Sequence, residues 1–190
     1  MKDLSRDDLL NAYRLMVLSR RLDEKEIQLK NQSATFFQIS AAGHEAVQVA
    51  AGMLLRPGYD WIFPYYRDRA LCLTLGVSPT TMLLGGVGSA EDPSSGGRQM
   101  PSHWSSRESH IVSPSSATGT QCLHAVGCAE AGVLAATQRT ADRALISAHD
   151  DEVVLVSLGE GATSEGEFWE ALNATCLRKL PVVYVIQDNG

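Results

Sequence analysis

The chain is predicted to adopt an α/β fold with a parallel sheet between helices. Three observations predict it. Residues 153–158 and 181–186 are short runs rich in valine and isoleucine, the pattern of strands buried on both faces. Between them lies a glycine-rich turn, Gly159-Glu160-Gly161-Ala162-Thr163-Ser164-Glu165-Gly166. After the turn, Ser164 and Glu167 form an S-x-x-E capping box, and Phe168, Ala171, Leu172 and Thr175 recur at helical spacing. Strand, turn, helix and strand make a crossover unit, with parallel strands and a right-handed connection.

The preceding elements follow in order. Residues 5–30 read as a long helix capped by Ser5 and Asp8, with Leu9, Tyr13, Met16, Val17 and Ile27 along one face. Arg20, Arg21 and the run Asp23-Glu24-Lys25-Glu26 read as a solvated face with ion pairs at helical spacing. The small residues of 41–55 predict a closely packed helix, and His44 at its start reads as a capping or core histidine. Residues 56–60 are a turn, and 61–64 a short strand. Two short helices follow at 69–76 and 79–84, with Pro79 suited to a first helical position. Residues 85–119 are dense in Gly, Ser and Pro, which predicts a long loop, functional or disordered, with Trp104, Ile111 and Val112 as anchors of an ordered form. A small-residue helix at 122–137 comes next, and 141–152 reads as a solvated connection carrying Asp142, Arg143 and Asp150-Asp151-Glu152.

Composition bounds the function. The 190 residues are enough for one domain with a sizeable core, and a hydrophobic share of 44% is that of a globular protein. A net charge of −6 argues against a nucleic-acid partner. No apolar run is long enough to span a bilayer, and no secretory signal opens the chain. Cys72, Cys122, Cys128 and Cys176 form no C-x-x-C pair and read as buried reduced thiols, which points to the cytoplasm.

The candidate chemistry sits at the turn. Gly159 and Gly161 let a ligand approach the backbone, and the following helix offers N–H groups to an anion. Glu160 between them would repel a bare phosphate. It becomes favourable when a divalent cation lies between carboxylate and phosphate. Asn189, just past the next strand, can give the same ion a neutral oxygen. Both lie at the C-terminal ends of parallel strands, where open α/β sheets bind ligands. Upstream, Arg67 after the first strand can bind phosphate oxygens, with Tyr66 as a neutral donor; the alternative is a surface arginine paired with Asp68.

These residues resemble a family. The Gly-Glu-Gly turn followed by Asn189 resembles the thiamine diphosphate motif, with glutamate in place of the usual aspartate. Gly-Glu-Gly-Ala-Thr-Ser-Glu-Gly is similar to the form in the alpha-type subunit of the decarboxylating component of 2-oxo acid dehydrogenases. Gly97-Arg98-Gln99-Met100-Pro101, followed by His103, resembles the branched-chain subfamily; pyruvate and acetoin enzymes tend to carry Gly-Gly-Ser-Met-His. Tyr66-Arg67 is a third match, in the expected order.

The resemblance implies a three-layer thiamine diphosphate-binding fold, incomplete at the C-terminus. Residues 1–190 are then the N-terminal part of the dehydrogenase domain, with a helical arm at 1–40 and an α/β core at 41–190. The chain stops at Asn189-Gly190, and the expectation is a fragment or truncated product. The implied reaction is oxidative decarboxylation of a branched-chain 2-oxo acid, with acyl transfer to a lipoyl group of a partner acyltransferase. Implied magnesium ligands are Glu160 and Asn189. Implied cofactor contacts are Tyr65, Tyr66, Arg67, Ser116, Thr118, Gly159, Glu160, Gly161, Ala162, Gln187 and Asn189. Gln187 stands where branched-chain members often have an arginine.

In some members the serine-rich segment also binds structural potassium; the matching positions are Ser115, Ala117, Thr120 and Gln121. Members often carry Pro and Leu where Ala117 and Thr118 stand, which bears on the ion site. The catalytic residues are not identified, and His103 reads either as catalytic or as bonding its own loop. The glutamate that activates the aminopyrimidine is expected from a beta-type subunit or domain, so the chain is expected to be a half-site, inactive alone and oligomeric. Two alternatives stay open: a NAD-type dinucleotide-binding domain using Asp188 on a ribose, and a truncated non-catalytic fragment that keeps partner binding.

Overall fold

The structure is a computed structural model, and it describes residues 4–137 and 149–189. Asp142 and Arg143 of the expected connection lie outside the described residues. The chain forms two compact units, Met1–Arg56 with Tyr66–Ser106, and Pro57–Tyr65 with Arg107–Gly190. Among the described residues no helix is long and apolar enough to cross a membrane.

The first unit is helical. Helix α1 spans Arg6–Asn31 and begins with the expected cap. Ser5 Oγ accepts from the Asp8 amide at 3.1 Å, and Asp8 Oδ2 accepts from the Ser5 amide at 2.9 Å. Its orientation differs from the expectation. Leu9, Tyr13, Val17 and Ile27 are exposed, while Ser19, Leu22, Asp23 and Glu26 are buried. The reason is electrostatic. Helix α3, Arg69–Thr74, brings the fully buried Arg69 against the polar face of α1. Arg69 Nη1 donates to Asp23 Oδ1 at 2.8 Å, and Nη2 pairs with Glu26. A buried guanidinium supplies the countercharge that lets two acids leave water. Of the run expected to be solvated, Glu24 is the member paired on the surface, with Arg21 at 2.7 Å. Arg20 pairs instead with Glu45, at 2.7 Å.

Burial pushes the Glu26 carboxyl up from 4.5 to about 7, against the pull of Arg69. The folded state therefore holds the Glu26 proton more tightly than the unfolded chain. This contribution is fully present below pH 4.5 and is lost as pH rises through about 7. Glu26→Gln is expected to remove that part of the pH slope. The difference in unfolding free energy between the two proteins should change by about 3 kcal/mol across this window. Urea titrations at several pH values check it, and a pH-independent difference would contradict it.

Helix α2, Glu45–Gly52, packs on α3, which explains its small residues. A Cβ added at Gly52 would lie 2.7 Å from Thr74 Cβ. Helix α4, Pro79–Gly86, starts with proline in its first turn, and Ser78 Oγ accepts from the Thr81 amide at 3.1 Å. The following loop is ordered by its own polar groups. Asp92 accepts from the Ser94 and Ser95 amides at 3.0 and 3.1 Å, and Trp104 is buried as expected.

The second unit holds the parallel sheet, ordered β1 (Trp61–Phe63), β2 (Val154–Gly159), β3 (Val182–Gln187). The register runs Phe63↔Val156 on one side and Gly159↔Gln187 on the other. Ile111 adds a single parallel bridge to Ile62 and is buried, and Val112 packs on the core, both as expected. Helices α5 (Thr120–Thr137) and α6 (Gly166–Arg178) share one core with the sheet. Cys122, Ala125, Val126 and Ala129 of α5 meet Val154, Val156 and Leu158, with Phe168 and Ala171 from α6.

The strand–turn–helix–strand unit is present as read from the sequence, with four local corrections. The Ser164–Glu167 capping box does not form. Ser164 instead ends a 3₁₀ turn, Glu160–Ser164, so α6 starts later with Glu165 as a cap that makes no side-chain bond. Strand β2 is buried, but Val183 and Ile186 of β3 are exposed, because β3 is the last strand of the described sheet. Glu152 is buried rather than solvated, and its Oε2 accepts from the His149 amide at 2.9 Å. All four cysteines are free, yet Cys176 is exposed because it lies on the outer side of α6. Burial lifts the Cys122 thiol to about 11 and the Cys128 thiol to about 12.

Candidate functional site

In the second unit, two strand ends converge. Gly159 ends β2 beside Gln187 of β3, so Glu160 and Asn189 leave the sheet from the same end of neighbouring parallel strands. Both side chains are exposed. The 3₁₀ turn fixes where Glu160 departs: Thr163 Oγ1 donates to the Glu160 carbonyl at 2.6 Å, and the Glu165 amide donates to the Ala162 carbonyl at 3.1 Å. Ala162 is buried and pins the turn to the core. Neither Gly159 nor Gly161 is left-handed, so their value here is space. A Cβ at Gly161 would meet no atom within 4 Å, and one at Gly159 would sit 3.6 Å from Tyr65 Cε2. Tyr65 itself is buried.

Gln187 is buried, and its Nε2 donates to Ser157 Oγ at 2.7 Å. Gln121, at the start of α5, donates Nε2 to the Ser157 carbonyl at 3.1 Å. Its Oε1 is buried without a hydrogen-bond partner. The serine-rich segment leads into this corner. Ser115 Oγ accepts from the Ala117 amide at 3.2 Å, Thr120 is half-buried, and Ser116, Ala117 and Thr118 are exposed. Gly119 closes the segment at φ 86, and a Cβ there would lie 3.3 Å from Glu165 Cβ. Gly119→Ala is therefore expected to cost about 1–3 kcal/mol, from left-handed strain and crowding against the turn. Thermal unfolding checks it, and an unchanged melting temperature would contradict it.

In the first unit, Tyr66 and Arg67 are half-buried beside one another. The Arg67 guanidinium lies 5.4 Å from the Tyr66 ring centre, and its Nη1 donates to the Ser40 carbonyl at 2.8 Å. Pairing with Asp68, the alternative read from the sequence, is not what the structure shows: Asp68 is buried, and among the described residues no carboxylate neutralises Arg67. His103 is buried, with Nδ1 3.0 Å from the Pro101 carbonyl. A carbonyl only accepts, so Nδ1 donates to it. Its ring centre is 6.5 Å from that of Tyr66. His44 is buried at the α2 cap position without a side-chain cap bond.

Sequence reading missed the support around Arg67, namely Gln48, Ser40, Asp23 and Arg69. The available signal was Arg69 itself, a charge heading the otherwise apolar run Arg-Ala-Leu-Cys-Leu.

The chemistry of the donor set is that of hard oxygen ligands. A carboxylate and an amide oxygen suit magnesium, which takes one or two carboxylates plus phosphate oxygens. Among the described residues no group of three or more His, Cys, Asp or Glu is gathered for a metal. An ion at Glu160 and Asn189 would therefore draw most of its shell from a ligand and water, as a diphosphate-bridging ion does.

The family model "Dehydrogenase E1 component" matches residues 13–190. The chain is 36% identical over 186 residues to the 2-oxoisovalerate dehydrogenase subunit alpha of Bacillus subtilis, covering 98% of this chain and 52% of that one. It is 35% identical to the 3-methyl-2-oxobutanoate dehydrogenase subunit alpha of Mycobacterium tuberculosis, covering 99% and 45%. The pyruvate dehydrogenase E1 component subunit alpha of Mycoplasma genitalium is 30% identical, over 98% and 45%. The chain spans about half the length of the curated relatives it matches.

Proposed function

From membership of the dehydrogenase E1 component family, to which this chain belongs, we propose that it is the alpha-type half-site of a thiamine diphosphate-dependent 2-oxo acid dehydrogenase of the branched-chain type. The observation that carries the proposal is the exit of Glu160 and Asn189, both exposed, from the same end of adjacent parallel strands. In this reading the pair holds magnesium against the cofactor diphosphate. Tyr66 and Arg67 donate to diphosphate oxygens, and the unneutralised charge of Arg67 favours that role. The open space at Gly161 admits the ligand, with Tyr65, Gly159, Ala162, Ser116, Thr118 and Gln187 as further contacts.

When bound, the cofactor supplies the thiazolium carbon on which decarboxylation is carried out. The protein's part is to bind and orient it. Glu160 offsets the charge of the ion, and the buried Ala162 keeps the turn from shifting. The acyl product passes to a lipoyl group of a partner acyltransferase, and a beta-type subunit completes the site. A structural potassium ion at Ser115, Ala117, Thr120 and Gln121 is part of the same proposal, supported by the buried and unpartnered Gln121 Oε1. Free thiols at Cys72, Cys122, Cys128 and Cys176 support a cytoplasmic setting. The dinucleotide alternative is not favoured. The family match opposes it, and a 3₁₀ turn, Glu160–Ser164, stands between Gly159 and the start of α6.

The substrate class follows the relatives' names. The test is reconstitution of this chain with a beta-type subunit and a lipoyl domain, assayed with 3-methyl-2-oxobutanoate and with pyruvate. Preference for the branched-chain acid is the expected result. Preference for pyruvate would overturn the branched-chain assignment.

A further inference from the structure

Arg67 is held from two directions within the first unit. Its backbone carbonyl accepts from Gln48 Nε2 at 2.9 Å, and Gln48 Oε1 accepts from the Ala70 amide at 3.0 Å. One buried amide side chain on α2 thus clamps the turn that carries Arg67 into α3. The guanidinium end is held separately. Arg67 Nη1 donates to the Ser40 carbonyl at 2.8 Å. The Ser40 hydroxyl donates to Asp23 Oδ2 at 2.6 Å, and Asp23 Oδ1 accepts from Gln38 Nε2 and Arg69 Nη1, each at 2.8 Å. Arg69 Nη2 also reaches the Ile39 carbonyl at 3.3 Å. Residues 38, 39 and 40 are therefore each tied to the buried Asp23–Arg69 pair.

The distribution of charge sets the two arginines apart. Arg69 is buried and takes Asp23 and Glu26. Arg67, two positions earlier, is half-buried and is anchored by a neutral carbonyl. A carbonyl fixes the direction of a guanidinium without cancelling its charge. The remaining N–H groups then keep a fixed orientation toward an anion. Ordering the side chain in advance removes part of the entropy lost on binding.

We propose that Gln48, through the Arg67 backbone, and the Asp23–Ser40 pair, through its guanidinium, are positioning residues that preset Arg67 for a phosphate-type anion. The identity of that anion as the cofactor diphosphate rests on the function proposed above. The presetting of Arg67 does not.

The test compares the unsubstituted chain with Gln48→Met and Ser40→Ala. Ser40→Thr serves as the conservative rescue. Met82→Ala, a buried change in α4 outside this network, serves as a stability control. The first readout is the NMR order parameter of the Arg67 side-chain N–H without ligand, which reports picosecond–nanosecond motion. The second is calorimetric affinity for thiamine diphosphate with magnesium in the presence of a beta-type subunit. Gln48→Met and Ser40→Ala are expected to lower Arg67 order and to weaken affinity about tenfold. Ser40→Thr should restore both, and Met82→Ala should lower the melting temperature while leaving Arg67 order unchanged. Arg67 order equal to that of the unsubstituted chain in both test variants would overturn the proposal. So would an equal loss of order in Met82→Ala, since that would reduce the network to general stability. If the unsubstituted chain together with its beta-type subunit binds no thiamine diphosphate while Arg67 order still falls in the test variants, the positioning role is supported and the cofactor reading is the one that fails.

Discussion

Arg69→Met is expected to destabilise the first unit by about 3–5 kcal/mol, the usual cost of removing one partner from a buried ion pair. Arg69 is 0% exposed and bonds Asp23, Glu26 and the Ile39 carbonyl, with its guanidinium 5.9 Å from the centre of the Trp104 ring. Methionine keeps much of the volume and all of the burial. It leaves two acids, three positions apart on α1, with no countercharge. The remedy available to the protein is protonation, since neutral carboxyls tolerate burial. The deficit should therefore shrink as pH falls, and the part due to Glu26 should begin to shrink above its value of about 7, because losing Arg69 removes a charge that holds that value down. Adding Asp23→Asn and Glu26→Gln to the methionine variant should recover part of the loss at neutral pH. Denaturant unfolding at neutral and acidic pH reads both effects. A methionine variant as stable as the unsubstituted protein would mean that this charge cluster is not buried in solution.

Glu160→Ala is expected to weaken magnesium-dependent binding of thiamine diphosphate about 100-fold, or about 2.7 kcal/mol. The side chain is exposed at the start of its turn, so the fold has little reason to change. The backbone bonds that shape the turn come from Thr163 Oγ1 and from the Glu165 amide, and alanine leaves both in place. The loss should fall on the ion. Glu160→Asp should bind better than alanine, because it restores the carboxylate on a shorter arm. A variant whose magnesium dependence matches that of the unsubstituted chain would remove Glu160 from the ligand set.

Local signals in the sequence were reliable where a short-range rule governed the outcome. The Ser5–Asp8 cap and proline in the first turn of α4 appear as read, and the valine-rich runs around the Gly-Glu-Gly turn form parallel strands, although only β2 is largely buried. The same short-range rules failed where tertiary partners decided. Helix α1 offers an apolar face and a charged face, and the charged face is buried because Arg69 arrives from elsewhere in the chain. Spacing along α1 alone could not show that. The Ser164–Glu167 box also satisfied its rule, but a 3₁₀ turn stabilised by Thr163 claimed Ser164 first. For the candidate site, Glu160, Asn189, Tyr66 and Arg67 could be named from residue type and position. Gln48 and Ser40 could not, because a neutral side chain in a small-residue helix and a backbone carbonyl carry no sequence signal.

The central claim is that this chain offers half of a magnesium-bridged thiamine diphosphate site. Calorimetric titration tests it most directly, with thiamine diphosphate added to the chain together with a beta-type subunit, in magnesium and again in excess chelator. Binding in magnesium that is abolished by chelator is the predicted result. Binding that is indifferent to magnesium, or binding of NAD in place of thiamine diphosphate, would contradict it.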